Sequence, residues 1–372
     1  MSKLYTVSLI FAALSVLASC HKTQVMPSGP GIVSHTRFML EEEGTFSVGN
    51  APAGTALEID FGDGSSESGV CGDSFVHSYT VPGDYTVVAR IGANEEISKR
   101  VRVYSLLSLS SLMQRLAEKD NGEVLVMTHR AHSTDKNIPE NSISAVNECI
   151  RLGVDFVEVD THRTADGQIV ICHDQTIDRT TNGSGDITKM NLADIKKFRL
   201  LDRNGKVTNE SVPTLEELLK AARGKIYVNL DYSPRTASTS EVLGVVEKLD
   251  MVQGVLMYCN TEAKVNECIG IDDKIQCYPW VTQYGPLKGK GIYFVQLNNG
   301  ASLGNAENDG FLCTVNMSSV VSGSTGDING TAFVLDTQEV DDILTTYPKV
   351  KILHTDTPEE LISYLETKGK RQ

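Results

Sequence analysis

The stretch Asp155-Phe156-Val157-Glu158-Val159-Asp160 decides both the fold and the chemistry. Its apolar residues mark a buried strand. Glu158 and Asp160 lie two positions apart, so both project to the same side. Two carboxylates facing one interior repel each other unless a cation sits between them. Hard oxygen ligands suit Mg²⁺ or Ca²⁺ better than zinc. The plain alternative is that Glu158 pairs with an arginine and Asp160 opens a turn.

Outward from this stretch, apolar runs alternate with helical spacing. Strand candidates are 123–128, 155–161, 168–173, 225–231, 254–259, 274–278, 293–297, 311–315 and 349–355. Helical stretches fall at 141–152, 214–222, 240–249, 262–269, 338–347 and 358–368. The alternation predicts βα units and a parallel sheet, and about 250 residues of it fit a (β/α)8 TIM barrel. Nine candidates are one too many for eight strands, and the spare is expected between 274 and 297 as an excursion outside the barrel.

Functional groups of such barrels sit at the C-terminal ends of strands. Four of the runs end in ionisable residues: His129 and Arg130, then Glu158 and Asp160, then His173 and Asp174, then Asp231. Asp231 is placed to be a third carboxylate beside Glu158 and Asp160. The two histidines beside the carboxylates weaken the ion-pair-and-turn alternative.

Several motifs then resemble the glycerophosphodiester phosphodiesterase family. They are His129-Arg130-Ala131, Pro139-Glu140-Asn141-Ser142, the run 153–160, and Thr164-Ala165-Asp166-Gly167 leading to His173-Asp174. Arg179-Thr180-Thr181-Asn182-Gly183, Val212-Pro213-Thr214-Leu215-Glu216-Glu217 and Thr355-Asp356-Thr357-Pro358 continue the series in order, across residues 124 to 368. The resemblance implies a TIM barrel that cleaves phosphodiesters with one divalent cation. It implies His129 and His173 as general acid and base, with Glu158, Asp160 and Asp231 as metal ligands. Arg130 would grip the phosphate with its forked donors. His132 and His162 are read as bystanders, and Asn141 as the cap of the following helix.

Two departures stand out. The family has Gly after His-Arg, where this chain has Ala131, which adopts a left-handed backbone only at a cost. At the fourth strand candidate the family has Glu followed two positions on by Lys. Here Asp231 stands for the Glu, and Tyr232-Ser233 offer no Lys.

Ahead of the barrel, residues 37–104 read as short alternating strands, a small β-sandwich. Ile59-Asp60-Phe61-Gly62-Asp63-Gly64, His77-Ser78-Tyr79 and Pro82-Gly83-Asp84-Tyr85 resemble the PKD family of immunoglobulin-like modules. That resemblance implies a spacer, or a contact with glycan or protein, and no catalysis. Asp60, Asp63 and His77 are read as structural. Residues 105–123 form a connecting helix, and the barrel takes 124–372.

Residues 1–20 read as a processing segment. A short apolar run ends in Leu17-Ala18-Ser19-Cys20, which looks like a lipobox and predicts a lipid on Cys20. Residues 21–36 read as a flexible linker. The expected location is the bacterial cell envelope, with the membrane reached through the lipid anchor alone.

The net charge of −14 argues against nucleic-acid partners, and it means that a phosphate substrate needs local cations. Eight cysteines show no C-x-x-C pair. With Cys20 lipidated, seven remain, so one thiol stays free or pairs between chains. Cys259, Cys268 and Cys277 recur every nine residues, read as coincidence across successive elements. The expected reaction releases glycerol 3-phosphate and an alcohol from a small glycerophosphodiester. The alternatives are a phospholipase-type or cyclising phosphodiesterase on the same barrel, and a non-catalytic binding lipoprotein.

Overall fold

The computed structural model describes residues 29–118, 122–232, 236–297, 300–317 and 335–371. The lipobox and Cys20 lie outside the described residues.

The N-terminal region holds eight strands: β1 Gly31–Val33, β2 Arg37–Leu40, β3 Gly44–Gly49, β4 Ala56–Asp60, β5 Ser66–Val70, β6 Phe75–His77, β7 Gly83–Ile91 and β8 Glu95–Leu107. They form two sheets, β1-β3-β6 and β2-β8-β7-β4-β5. Alternate side chains of both sheets bury a shared core around Phe46, Ile59, Val87 and Ala89. Because β1 pairs with β3, the segment read as a linker to residue 36 is already sheet at 31–33. Asp60 and Asp63 accept from the backbone N–H groups of Gly62 and Ser65, the work of turn residues. His77 stacks on Phe61 and meets Asp63 at 2.8 Å.

Eight parallel strands follow: β9 Leu125–Thr128, β10 Phe156–Arg163, β12 Tyr227–Asp231, β13 Val255–Cys259, β14 Gln276–Pro279, β15 Phe294–Leu297, β16 Leu312–Asn316 and β17 Val350–Thr355. Their order is β14-β13-β12-β10-β9-β17-β16-β15, and β14 and β15 sit side by side at the seam. The result is a nearly closed parallel barrel with helices outside.

The spare strand is not where the sequence reading expected it. Both candidates between 274 and 297 belong to the barrel, as β14 and β15. The excursion is β11 Ile169–Ile171, which folds back antiparallel on the long end of β10. The turn Asp166-Gly167 makes this possible, with Gly167 at φ +79°. Asp231 therefore ends the third barrel strand, and His173 stands on a hairpin above the rim.

The helix Leu109–Glu118 turns Leu109, Leu112, Met113 and Leu116 inward. They pack with the inward residues Leu125, Met127, Phe156, Tyr227, Leu256 and Ile352. The connecting helix thus plugs the barrel end opposite the strand C-termini. Met39 of β2 joins this cluster, and the Tyr227 hydroxyl donates to the Leu107 carbonyl at 2.9 Å. Thr214 closes a capping box with Glu217, which starts the helix Leu215–Ala222.

Candidate active site

At the end of β9 the chain makes one tight turn, His129–Ala131, with Arg130 at φ 51° and Ala131 at φ 54°. Left-handed backbone costs about 1–2 kcal/mol per non-glycine residue. The surroundings hold the turn. The Arg130 N–H donates to Glu158 Oε2 at 2.9 Å, and the Arg130 carbonyl accepts from Asn141 N at 2.9 Å. The strained turn thereby fixes His129 and Arg130 against the carboxylates of β10.

Glu158 and Asp160 on β10 meet Asp231 on β12, with Asp160 and Asp231 paired in register. One oxygen from each of the three lies within 4.8 Å of the others. Burial, then the charges of Asp160 and Asp231, push the Glu158 pKa well above the usual carboxylate range. Asn141 donates to Asp160 Oδ2 at 2.9 Å, and Arg130 Nε stands 4.0 Å from the same oxygen. A buried oxygen-only set of this kind fits a hard divalent cation.

Each of the two histidines carries a carboxylate on Nδ1. His129 Nδ1 meets Asp356 Oδ1 at 3.0 Å, and His173 Nδ1 meets Asp174 Oδ1 at 2.6 Å. A charged network joins the two. Asp356 also meets His132 Nδ1 at 2.9 Å, and His132 Nε2 faces Glu140 at 3.7 Å. Arg179 then donates to both oxygens of Glu140 and, through Nε, to Asp174 at 2.7 Å. Burial opposes the charges of Glu140 and Asp356. The nearby His132 and the hydrogen bonds from Arg179 outweigh it at Glu140, and hydrogen bonds with His129 and His132 outweigh it at Asp356, so both carboxyls are held well below their usual values. The same contest raises the His132 pKa: burial lowers it, and Asp356 and Glu140 more than reverse that.

Several residues play larger parts than the sequence reading gave them. His132 is no bystander, because it shares Asp356 with His129. His162 braces the hairpin, with Nδ1 3.1 Å from Thr236 Oγ1 and Nε2 3.2 Å from the His173 carbonyl. Ser142, not Asn141, caps the helix Ile143–Leu152, accepting from Ala145 N. Asn141 is thereby left to hold Asp160. Arg130, read as a phosphate grip, also faces Glu140 at 3.4 Å. Asp356, Glu140 and Arg179 lie within the family-like motifs, but their spacing does not reveal the network. His354 on β17 has its ring centroid 5.5 Å from that of His129, and its buried place in the apolar run Ile352-Leu353-His354 gives no local signal of this.

The seven described cysteines are all buried, and none of them forms a disulfide. Cys259, Cys268 and Cys277 converge between β13, the helix Glu262–Ile271 and β14, with their sulfurs within 4.8 Å of one another. The nine-residue recurrence therefore does bring the three side chains together.

The match to known proteins begins at the strained turn. Residues 129–275 match the Glycerophosphoryl diester phosphodiesterase family. That span holds His129, Arg130, Glu158, Asp160, His173 and Asp231. A glycerophosphodiester phosphodiesterase from Caldanaerobacter subterraneus is 40% identical over 111 residues, 29% of this chain and 45% of the relative. The chain spans about half the length of the curated relatives it matches. Among solved structures, a glycerophosphoryl diester phosphodiesterase from Parabacteroides distasonis superposes with a TM-score of 0.59 at 20% identity. The overlay covers 71% of this chain and 94% of that one. An Oleispira antarctica phosphodiesterase solved with sn-glycerol-3-phosphate has a TM-score of 0.50 at 17% identity, covering 65% of this chain and 96% of that one. These overlays show that the barrel shares the fold of those two phosphodiesterases.

Proposed function

We propose that this protein hydrolyses glycerophosphodiesters to glycerol 3-phosphate and an alcohol, with a divalent cation and two histidines. The observation that carries the reading is the convergence of Glu158, Asp160 and Asp231 beside the tight turn His129–Ala131. The Oleispira phosphodiesterase, solved with that product, supports the choice of substrate. Glu158, Asp160 and Asp231 would hold Mg²⁺ or Ca²⁺, which supplies positive charge against phosphoryl oxygens when bound.

The chain's own residues do the rest. Asp356 and Asp174 fix the Nδ1 side of each imidazole, which directs Nε2 of each to proton transfer. One histidine removes a proton from the attacking oxygen, and the other returns one to the leaving alkoxide. Arg130 lies beside the carboxylates and offers donors to the phosphate, in a chain whose net charge is −14. The N-terminal sheets act as a PKD-like spacer from a lipid anchor at Cys20, on a protein held in the cell envelope.

The test is turnover. Protein lacking residues 1–20 should release glycerol 3-phosphate from glycerophosphocholine with Mg²⁺ or Ca²⁺, and a chelator should abolish it. Metal binding without turnover on any head group overturns the enzymatic reading.

A further inference from the structure

Side chains alternate along a strand, so the residues two positions beyond inward core residues also face inward. Tyr227, Leu312 and Ile352 belong to the inner barrel core, which places Asn229, Thr314 and His354 on the same interior one step nearer the strand C-termini. Tyr278 of β14 is in that core as well. These four polar side chains come from β12, β14, β16 and β17, and none is more than 4% exposed.

Their polar atoms are poorly served. Both ring nitrogens of His354 and the amide oxygen of Asn229 have no hydrogen-bond partner among the described residues. The Tyr278 hydroxyl faces that of Thr314, and neither closes a full hydrogen bond among the described residues. Leaving a buried polar group unsatisfied destabilises the fold. Apolar residues would fill the same positions without that cost, as Ile352 and Leu312 do one layer deeper. The layer adjoins the site: His354 packs edge-on against His129 and feels the charge of Asp160, and Tyr278 feels that of Glu158.

We infer that this inward layer is a subsite for a hydroxyl-bearing part of the substrate, with His354 as its main contact. The inference rests on the phosphodiester reading and adds to it what the barrel floor recognises. Burial, then the charge of His129, pushes the His354 pKa down to about 3, so the ring stays neutral. A neutral imidazole has one donor and one acceptor, and a hydroxyl can both accept and donate. A phosphate oxygen offers only acceptors and is better met by arginine or a cation.

The test uses two phosphate monoesters, sn-glycerol 3-phosphate and ethyl phosphate, which differ in carbon hydroxyls. Their binding to the full chain is measured with Mg²⁺ present, in wild type, His354→Leu and His354→Gln. The Leu variant should bind glycerol 3-phosphate about tenfold more weakly and ethyl phosphate unchanged. The Gln variant, which keeps a donor and an acceptor, should recover most of the loss. The Leu variant should also melt about 2–4 °C higher, because it removes an unsatisfied buried group. Equal weakening of both ligands, no change in either, or a lower melting temperature with the affinity ratio intact overturns the subsite. If wild type binds neither monoester, the phosphodiesterase reading falls first and the subsite falls with it.

Discussion

His129 and Asp356 stand 227 residues apart in the chain and meet at 3.0 Å, Nδ1 to Oδ1. β9 and β17 are neighbours in the barrel, so the turn after one faces the loop after the other. Asp356 is buried and strongly held as the anion. It therefore sets the orientation of His129. Asp356→Asn keeps the shape and loses the charge. It should lower kcat by between about 10²- and 10⁴-fold while leaving cation affinity unchanged. Titration of Mg²⁺ or Ca²⁺ beside steady-state kinetics checks both halves. A loss of cation affinity would make Asp356 part of the metal site.

His173 should behave in the same way from the other side. His173→Ala is expected to cost about 10²–10⁴-fold in turnover with cation binding retained. Loss of the cation would turn His173 into a ligand and reassign the acid–base pair.

Glu140 joins the two histidines through Arg179 and His132, and its side chain is only 10% exposed. Glu140→Gln leaves Arg130 and Arg179 without their shared anion. Breaking a fully buried pair costs about 3–5 kcal/mol; Arg179 keeps some contact with water, so about 2–3 kcal/mol is expected. Urea denaturation measures this directly. An unchanged midpoint would mean that Asp174 and Asp160 alone satisfy the two arginines.

Much of this was legible in the sequence for a physical reason. Period-two placement puts Glu158 and Asp160 on one face whatever the rest of the chain does, and apolar runs ending in charge mark strand ends. β11 was miscounted because a hairpin strand and a barrel strand have the same apolar pattern; only pairing direction separates them. Glu140 and Asn141 sit before a helix, where capping is the default expectation, and nothing local shows that Asn141 reaches Asp160. Asp356 and His354 depend on β17 closing against β9, a contact that no window of sequence contains. The nine-residue cysteine spacing had meaning only once β13 and β14 lay side by side.

A lipid on Cys20 would hold the protein at a membrane. In cells, Cys20→Ser should move the protein from the membrane fraction to the soluble fraction and remove incorporation of labelled palmitate. A variant that stays in the membrane fraction without label would place the attachment elsewhere in the chain.

The raised pKa of Glu158 links stability to pH and to metal. Between the ordinary glutamate value of about 4.3 and its higher folded value, the native protein binds more protons at this site than the unfolded chain does. This part of the metal-free stability is therefore present below about pH 4.3 and is lost as pH rises through the folded value. A cation bound by Glu158, Asp160 and Asp231 needs the deprotonated carboxylates, so its stabilisation grows over the same range. Melting temperatures with EDTA and with excess Mg²⁺ or Ca²⁺ should differ little near about pH 5 and diverge by several degrees near about pH 8. Glu158→Gln should flatten the metal-free slope and shrink the metal-induced shift, because it removes both the titrating group and a ligand. A metal shift of equal size at both pH values, or an unaltered slope in Glu158→Gln, would take the cation away from these three carboxylates.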